Sequence, residues 1–229
     1  MMKKLLVGLT FILSTVSSSF AGGGGDILRK SLMINNLEYQ YSDTRTISWD
    51  TYAYIGYDLN KVYIYSAGEK TDGISSMESE NELVYSRAIA PNWDIQFGIA
   101  YDKTQEEDNT WAVVALSGLA PYFFETRLAL LVDDNGNLGL RVDLEYEALL
   151  TQKLILTPSL EISAYTKDDL SMELGRGLSN LTMGARLRYE FTREFAPYVG
   201  VEWSENFGNT DSISPLSDTY VVVGLRIWF

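Results

Sequence analysis

Apolar and polar side chains alternate with a period of two residues along most of the chain. Between residues 138 and 148 one parity is apolar throughout, while the other carries glycine, arginine and acidic residues. Successive side chains of a β-strand point to opposite faces, so this segment predicts a strand with one apolar and one charged face. Comparable segments recur from Leu37 to the terminal Phe229, and their number predicts about twelve strands.

The predicted connections alternate between tight turns and longer polar links. Short periplasmic turns opposite longer outer loops are typical of an outer-membrane barrel, whereas a soluble sandwich gives no reason for this segregation. The tight turns are Leu59-Asn60, Pro91-Asn92, Ala120-Pro121, Gln152-Lys153 and Arg193-Glu194. The longer links are Glu69 to Ser79, Asp102 to Thr110, Asp133 to Asn137, Lys167 to Asn180 and Glu205 to Ser217, and only the link near Asp43 to Thr46 is short.

The fold class that follows is all-β, a closed antiparallel transmembrane β-barrel of about twelve strands in the bacterial outer membrane. The barrel is predicted over residues 32–229, after a signal peptide at 1–21 and a short flexible segment at 22–31. Lys3 and Lys4 precede a short apolar run, and small residues up to Ala21 suit cleavage after that residue. The apolar run is too short for a helix that spans a membrane, which needs roughly 20 residues.

Aromatic side chains are abundant, with 15 tyrosines, nine phenylalanines and five tryptophans. Many fall near predicted strand ends, where amphipathic rings suit the headgroup level of a bilayer. The ordinary enrichment of aromatic residues in strands is a competing explanation. The predicted interfacial residues are Trp49, Tyr57, Trp93, Tyr101, Trp111, Tyr122, Tyr189, Phe191, Trp203 and Tyr220.

Composition narrows the chemistry. The chain has no cysteine and no histidine, which excludes disulfides, thiolate metal sites, imidazole ligation and Ser-His-Asp hydrolysis. An enzyme is therefore not expected. Removal of the signal leaves 31 acidic and 16 basic residues, a formal charge of −15, which repels nucleic acid and attracts cations. Solubility of the outer loops is the simpler reason for this charge.

The polar parity of the strands predicts which side chains line the lumen. Paired charges that fill and rigidify a narrow interior are the simpler interpretation, and a cation path lined by surplus carboxylates is the sharper one. No face is predicted for the segment that contains Leu83, Tyr85 and Arg87. The predicted lumen-lining residues are Glu38, Asp50, Asp94, Gln96, Glu125, Arg127, Arg141, Asp143, Glu145, Glu161, Arg186, Arg188, Glu190, Glu202 and Arg226.

Two methionines in predicted outer loops are candidate metal ligands, since thioether sulfur favours Cu(I). Met77 lies beside Glu78, and Met172 lies between Asp169 and Glu173. A single loop methionine is more often incidental than a ligand. Asp133 to Asn137 is better interpreted as a hairpin turn than as a calcium loop, because the distal glutamate is missing.

The last ten residues form an alternating strand that ends on Phe229, which resembles the C-terminal signal that the bacterial barrel-assembly machinery recognises. Several further stretches resemble the copper resistance protein B family of outer-membrane proteins, in order, between Ile47 and Phe229. These stretches are Glu82 to Pro91, Trp93 to Gly98, Gly118 to Glu125, Leu149 to Leu156, Gly177 to Ser179, Arg188 to Glu190 and Arg193 to Val201.

The resemblance implies a role in copper resistance at the outer membrane, by binding or passing copper ions. It also implies lipid contact and a possible periplasmic copper-handling partner. Family members often carry a segment rich in methionine and histidine before the barrel, whereas here Gly22 to Gly25 and a few residues precede the first strand. The alternative is a structural or small-solute barrel without metal function.

Overall fold

A computed structural model describes residues 27–42, 45–73, 77–105 and 107–229 of the chain. The predicted signal peptide lies outside these residues, as does the first half of the segment at 22–31. The strands are β1 (Arg29–Tyr41), β2 (Arg45–Gly56), β3 (Asn60–Thr71), β4 (Glu78–Ala90), β5 (Trp93–Lys103), β6 (Asp108–Ala120), β7 (Phe124–Val132), β8 (Leu138–Tyr146), β9 (Ala148–Leu149), β10 (Leu154–Tyr165), β11 (Gly177–Tyr189), β12 (Phe195–Asn206) and β13 (Ser217–Trp228).

All strand pairs are antiparallel and join neighbours in the chain, and β13 closes the sheet by pairing with β1. The segments β8 and β9 pair with the same strand, β10, and are separated only by Glu147. They form one interrupted strand, so the closed barrel has the twelve strands that the sequence predicts. Closure gives every strand two partners, which leaves no open edge for lipid to contact.

The connections agree with the predicted segregation of loops. The turn between β4 and β5 is Pro91-Asn92, and a short 3₁₀ turn, Pro121–Phe123, joins β6 to β7. At the other end the links are longer, but several strands extend further than predicted, so the β3–β4 link spans only 72–77. A helix that was not predicted, α1 (Gly208–Ile213), lies in the link between β12 and β13.

Outward faces are apolar and inward faces are mostly polar. Leu37, Ile99 and Val223 are exposed on the outside, whereas Glu38 and Gln96 are buried inside. In β4, for which the sequence predicts no face, the outward positions are exposed and the inward positions are buried. Exposed are Leu83, Tyr85 and Arg87, and buried are Glu82, Val84 and Ser86. No helix in the described part of the chain is long and apolar enough to cross a membrane.

One sector of the interior is apolar, which corrects the expectation of small and charged groups alone. Trp111 is wrongly predicted at the lipid interface, because it is 0% exposed and lies inside the barrel. Both parities of β6 are apolar, so the alternation there does not indicate which face is inward. The interior cluster comprises Ala100, Trp111, Val113, Ala115, Ala129, Leu131 and Tyr165.

Candidate functional site: the lumen

The interior of the barrel is crossed by four groups of ion pairs, each centred on one or two arginines. Each arginine lies at an inward position of its strand, and most of its partners come from strands that are not its neighbours. Strand alternation alone predicts that these side chains point inward, but it does not predict which of them pair.

The first group is centred on Arg186 of β11. Its Nε donates to Glu38 Oε1 at 2.5 Å, and its Nη2 donates to Glu38 Oε2 at 3.1 Å and to Glu202 Oε2 at 2.5 Å. A guanidinium that grips one carboxylate with two bonds is both strong and geometrically specific. This group fixes β11 to β1 and β12 across the interior.

Two glycines make room for that arginine. A Cβ atom at Gly184 would lie 2.4 Å from Arg186 Nη1, and one at Gly200 would lie 3.0 Å from Arg186 Cγ. Both glycines are at inward positions on strands next to or containing the arginine. The absence of side chains at these two positions therefore lets the guanidinium lie flat against the barrel wall.

The second group is centred on Arg127 of β7. Arg127 donates to the carboxylate of Glu82 with both terminal nitrogens and to Gln96 Oε1 at 3.3 Å. Its guanidinium carbon lies 4.8 Å from the centre of the Tyr65 ring, and Gln96 Nε2 donates to Tyr65 Oη at 2.9 Å. Stacking on an aromatic ring stabilises a guanidinium in a desolvated place.

The third group lies nearer the loop end. Arg141 of β8 donates to Asp102 Oδ2 at 2.5 Å, approaches Glu80 Oε2 at 2.9 Å, and donates to Tyr165 Oη at 3.3 Å. The Tyr165 ring is tilted against Trp111, with 5.8 Å between ring centres. The third group therefore contacts the apolar interior cluster through Tyr165.

The fourth group lies at the short-turn end. Arg188 Nη2 and Arg226 Nη1 both donate to one oxygen of Glu147, at 2.7 Å and 2.5 Å. Arg188 also lies 3.7 Å from Glu190 Oε1. Glu147 is the residue that interrupts the strand formed by β8 and β9, so the interruption places a carboxylate between the two arginines.

Asp94 and Asp50 have weaker partners. Asp94 accepts from Ser86 Oγ at 2.9 Å and from Lys61 Nζ at 3.5 Å. Asp50 accepts from Asn35 Nδ2 at 3.1 Å, next to a bulge in β1, and makes no ion pair within the described ranges. Asp50 thus has no cationic side chain of the described chain within ion-pair distance.

Two pairs of carboxylates lie directly opposite each other on neighbouring strands. Asp143 of β8 faces Glu161 of β10, and Glu145 of β8 faces Glu125 of β7. None of these four forms an ion pair within 4.0 Å in the part of the chain that is described. Like charges directly opposite each other on a sheet are destabilising.

The lumen contains accessible space beside these carboxylates. Glu161 points inward yet is exposed to solvent, and the side chain of Glu80 is 53% exposed although it also points inward. Inward side chains are accessible only where the interior is not filled by protein. The ion pairs therefore divide the lumen without filling it.

The methionine candidates lie elsewhere, in or near the outer loops. Met77 is 43% exposed, while Met172 is buried at 5%. Asp169 Oδ1 accepts from the hydroxyl and backbone N–H of Ser171, at 2.7 Å and 3.1 Å, and so closes a local turn. Within residues 27–42, 45–73, 77–105 and 107–229, no three His, Cys, Asp or Glu residues are grouped to hold a metal ion.

The Glu78 and Glu173 candidates have local roles in the same loops. Glu78 Oε1 accepts from Gln105 Nε2 at 2.9 Å, which joins two outer loops. Glu173 adopts a left-handed backbone conformation, with φ of 57°, inside a tight turn. The structure gives neither residue a contact with a methionine sulfur.

Several interior residues are not predicted from the sequence. Glu80 and Glu82 share the inward parity of Val84 in β4. The opposite parity contains Leu83 and Tyr85 but also Arg87, and this arginine obscures the apolar face in the sequence. Asp102 continues the inward parity of Asp94 and Gln96, because β5 extends to Lys103 and so includes a residue that the sequence predicts in the following link.

The family model described as "Copper resistance protein B precursor (CopB)" matches residues 28–229. Copper resistance protein B of Escherichia coli is 40% identical over 204 residues, which is 86% of this chain and 69% of that protein. The copper resistance protein B homolog of Pseudomonas syringae pv. tomato is 36% identical over 201 residues, which is 85% of this chain and 68% of that protein.

Solved structures resemble the chain in fold. The NanC porin superposes with a TM-score of 0.57 at 13% identity, over 87% of this chain and 99% of that one. The KdgM porin gives 0.52 at 14% identity, again over 87% of this chain and 99% of that one. At such low identity these likenesses support the barrel architecture alone.

Proposed function

The chain belongs to the copper resistance protein B family, and we propose that its outer-membrane barrel serves copper resistance by admitting hydrated copper ions to the carboxylates of its lumen. The observation that carries the proposal is the opposed pair Asp143 and Glu161, which lacks an ion-paired arginine and lies beside accessible space. A surplus of carboxylates in a low-dielectric wall concentrates cations from the surrounding solution.

The chemistry of these ligands favours passage over tight binding. Carboxylate oxygens are hard ligands that do not distinguish copper from other divalent cations, whereas thioether and imidazole ligands do. Conduction requires sites that are favourable enough to enter and weak enough to leave. Asp50, Asp143 and Glu161 point inward without an ion-paired partner in the described chain, and weak carboxylate ligands of this kind meet the requirement for a hydrated ion.

The family and the barrel fold support a role without catalysis. Two partners besides lipid belong to the proposal: the barrel-assembly machinery, which would read the final strand, and a periplasmic protein that handles copper. Strand β13 pairs with both β12 and β1, and the backbone of Phe229 exchanges hydrogen bonds with Leu32 at 2.9 Å and 3.1 Å. The strand that ends the chain is thus the one that closes the barrel.

The test replaces two opposed carboxylates and leaves the ion-pair groups intact. In cells that lack the native gene, the Asp143→Asn/Glu161→Gln variant should lose most of the protection against copper and change copper accumulation relative to the wild type. The matched control is Asp58→Asn/Asp211→Asn, which removes the same charge from a short turn and from α1, outside the lumen. Equal tolerance in all three strains would overturn the proposal.

Conductance separates this proposal from the alternative, a structural or small-solute barrel without metal function. In planar bilayers under a salt gradient, the reversal potential of the wild type should indicate cation preference, and the lumen variant should lose it. Unchanged copper tolerance together with an unselective conductance would favour the small-solute alternative. No conductance in any variant, with normal copper tolerance in the lumen variant, would favour a structural role.

A further inference from the structure

A cavity of about 350 Å³ lies inside the short-turn end of the barrel. It lies on the side away from the long loops, which is the periplasmic side of an outer-membrane barrel. We call it the periplasmic vestibule and define it by Arg188, Arg193, Arg226, Glu147, Glu190 and Trp228. Its volume falls in the range of pockets that hold small molecules.

The charge of the vestibule is opposite to that of the rest of the molecule. Three arginines face two glutamates, in a chain whose formal charge is −13. Arg188 and Arg226 share one oxygen of Glu147, and Arg188 also lies 3.7 Å from Glu190 Oε1, so the excess positive charge of the vestibule is that of Arg193. Arg193 lies at the rim and makes no ion pair among the described residues.

The rest of the wall is formed by aliphatic side chains and by Gln152. Met33, Leu149 and Ile155 contribute aliphatic surface. The indole of Trp228 is held in place because its Nε1 donates to the backbone oxygen of Arg193 at 2.6 Å. Sites for small organic ligands combine such apolar surface with polar groups that converge on the ligand.

We propose that the periplasmic vestibule binds a small organic carboxylate through Arg193 and the Arg188–Arg226 pair, with the apolar part of the ligand against Trp228. Guanidinium groups match the geometry of a carboxylate and bind it through charge-assisted hydrogen bonds. This site is separate from the carboxylates proposed to admit copper, and it takes ligands of opposite charge.

The experiment uses the full barrel refolded in detergent micelles, titrated with benzoate by calorimetry. Benzyl alcohol, which keeps the ring and lacks the charge, and inorganic phosphate, which has charge and no apolar body, are the comparison ligands. Benzoate should bind more tightly than either. Binding of benzyl alcohol or of phosphate as tight as that of benzoate would overturn the proposal.

Variants locate the site. Arg193→Gln should weaken benzoate binding about tenfold or more, the loss expected for one charge-assisted contact. Arg87→Gln removes an arginine from the outward face of β4 and should leave binding unchanged. Equal effects of the two substitutions would place the ligand elsewhere. Because Arg193 makes no ion pair in the described barrel, the Arg193→Gln variant should fold normally. A difference in gel migration between unheated and heated samples, equal to that of the wild type, checks this.

Discussion

Arg186 on β11 and Glu38 on β1 are joined by two hydrogen bonds across the barrel interior, although 148 positions separate them in the chain. Only 1% of the Glu38 side chain is exposed, and 9% of Arg186. The same arginine also pairs with Glu202, so one guanidinium is the ion-pair partner of two carboxylates. Their burial makes this group important for stability, because an uncompensated charge in such a place is costly.

Replacement of Arg186 by methionine should therefore destabilise the barrel by about 3–5 kcal/mol, since it leaves two buried carboxylates without a partner. Urea unfolding in lipid vesicles, followed by tryptophan fluorescence, measures the change. Glu38→Gln/Glu202→Gln in the Arg186→Met background removes the stranded charges and should restore much of the loss. A cost below about 1 kcal/mol for Arg186→Met, the size expected of an exposed pair, would contradict this account.

Gly224→Ala should destabilise the barrel by about 1–3 kcal/mol, the usual cost of overpacking. The added Cβ would lie 2.6 Å from the Tyr198 ring, whose hydroxyl donates to Asn36 Oδ1 at 3.2 Å. The second substitution Tyr198→Ser frees that space, so Gly224→Ala should cost little in the Tyr198→Ser background. An equal cost in both backgrounds would show that contact with the ring is not the cause.

Trp111 should be shielded from lipid, whereas Trp49 should contact it. Trp111 lies in the interior cluster, and Trp49 shares the outward parity of Ile47 and Ile55. In variants that retain one tryptophan each, brominated acyl chains should quench Trp49 fluorescence and leave Trp111 nearly unaffected. Strong quenching of Trp111 would invert the assignment of faces in β6. Trp111→Ala should also cost about 3–5 kcal/mol, as expected for a large buried ring.

Protection of the outer loop at 166–176 should weaken in acid. Asp168 Oδ1 accepts hydrogen bonds from the backbone N–H of Arg176 at 2.6 Å and from Asn209 Nδ2 at 2.9 Å, and these bonds lower the pKa of Asp168. A lowered pKa stabilises the folded loop above the unfolded value, roughly 3.9, and the contribution is lost as pH falls through the folded pKa.

Hydrogen exchange of that loop, corrected for intrinsic rates, measures this effect between neutral pH and about pH 3. Asp168→Asn should remove most of the pH dependence of protection over this interval, because the amide does not titrate. Asp134→Asn, in the neighbouring β7–β8 turn, is the control and should keep it. A loop whose protection is the same at both pH values in the wild type would contradict the prediction.

Much of the architecture was determined by the sequence itself. Alternation along β8, from Leu138 to Glu145, forces one apolar and one charged face, and loop lengths indicate which end is which. These are local properties of the chain, so they are readable without contacts. The strand count and the inward position of residues such as Arg186 and Glu161 followed from them.

Only the tertiary structure decided the pairing. Arg127 faces Asp143 on the neighbouring strand but binds Glu82 of β4 instead, and Asp143 is left opposite Glu161. The reason is geometric, because closure and stagger of the barrel bring distant strands within reach of a long side chain. Parity specifies which face of the sheet a side chain is on, but not its position along the barrel axis. For the same reason the buried position of Trp111 and the basic vestibule at Arg188 and Arg226 emerged only from the closed barrel.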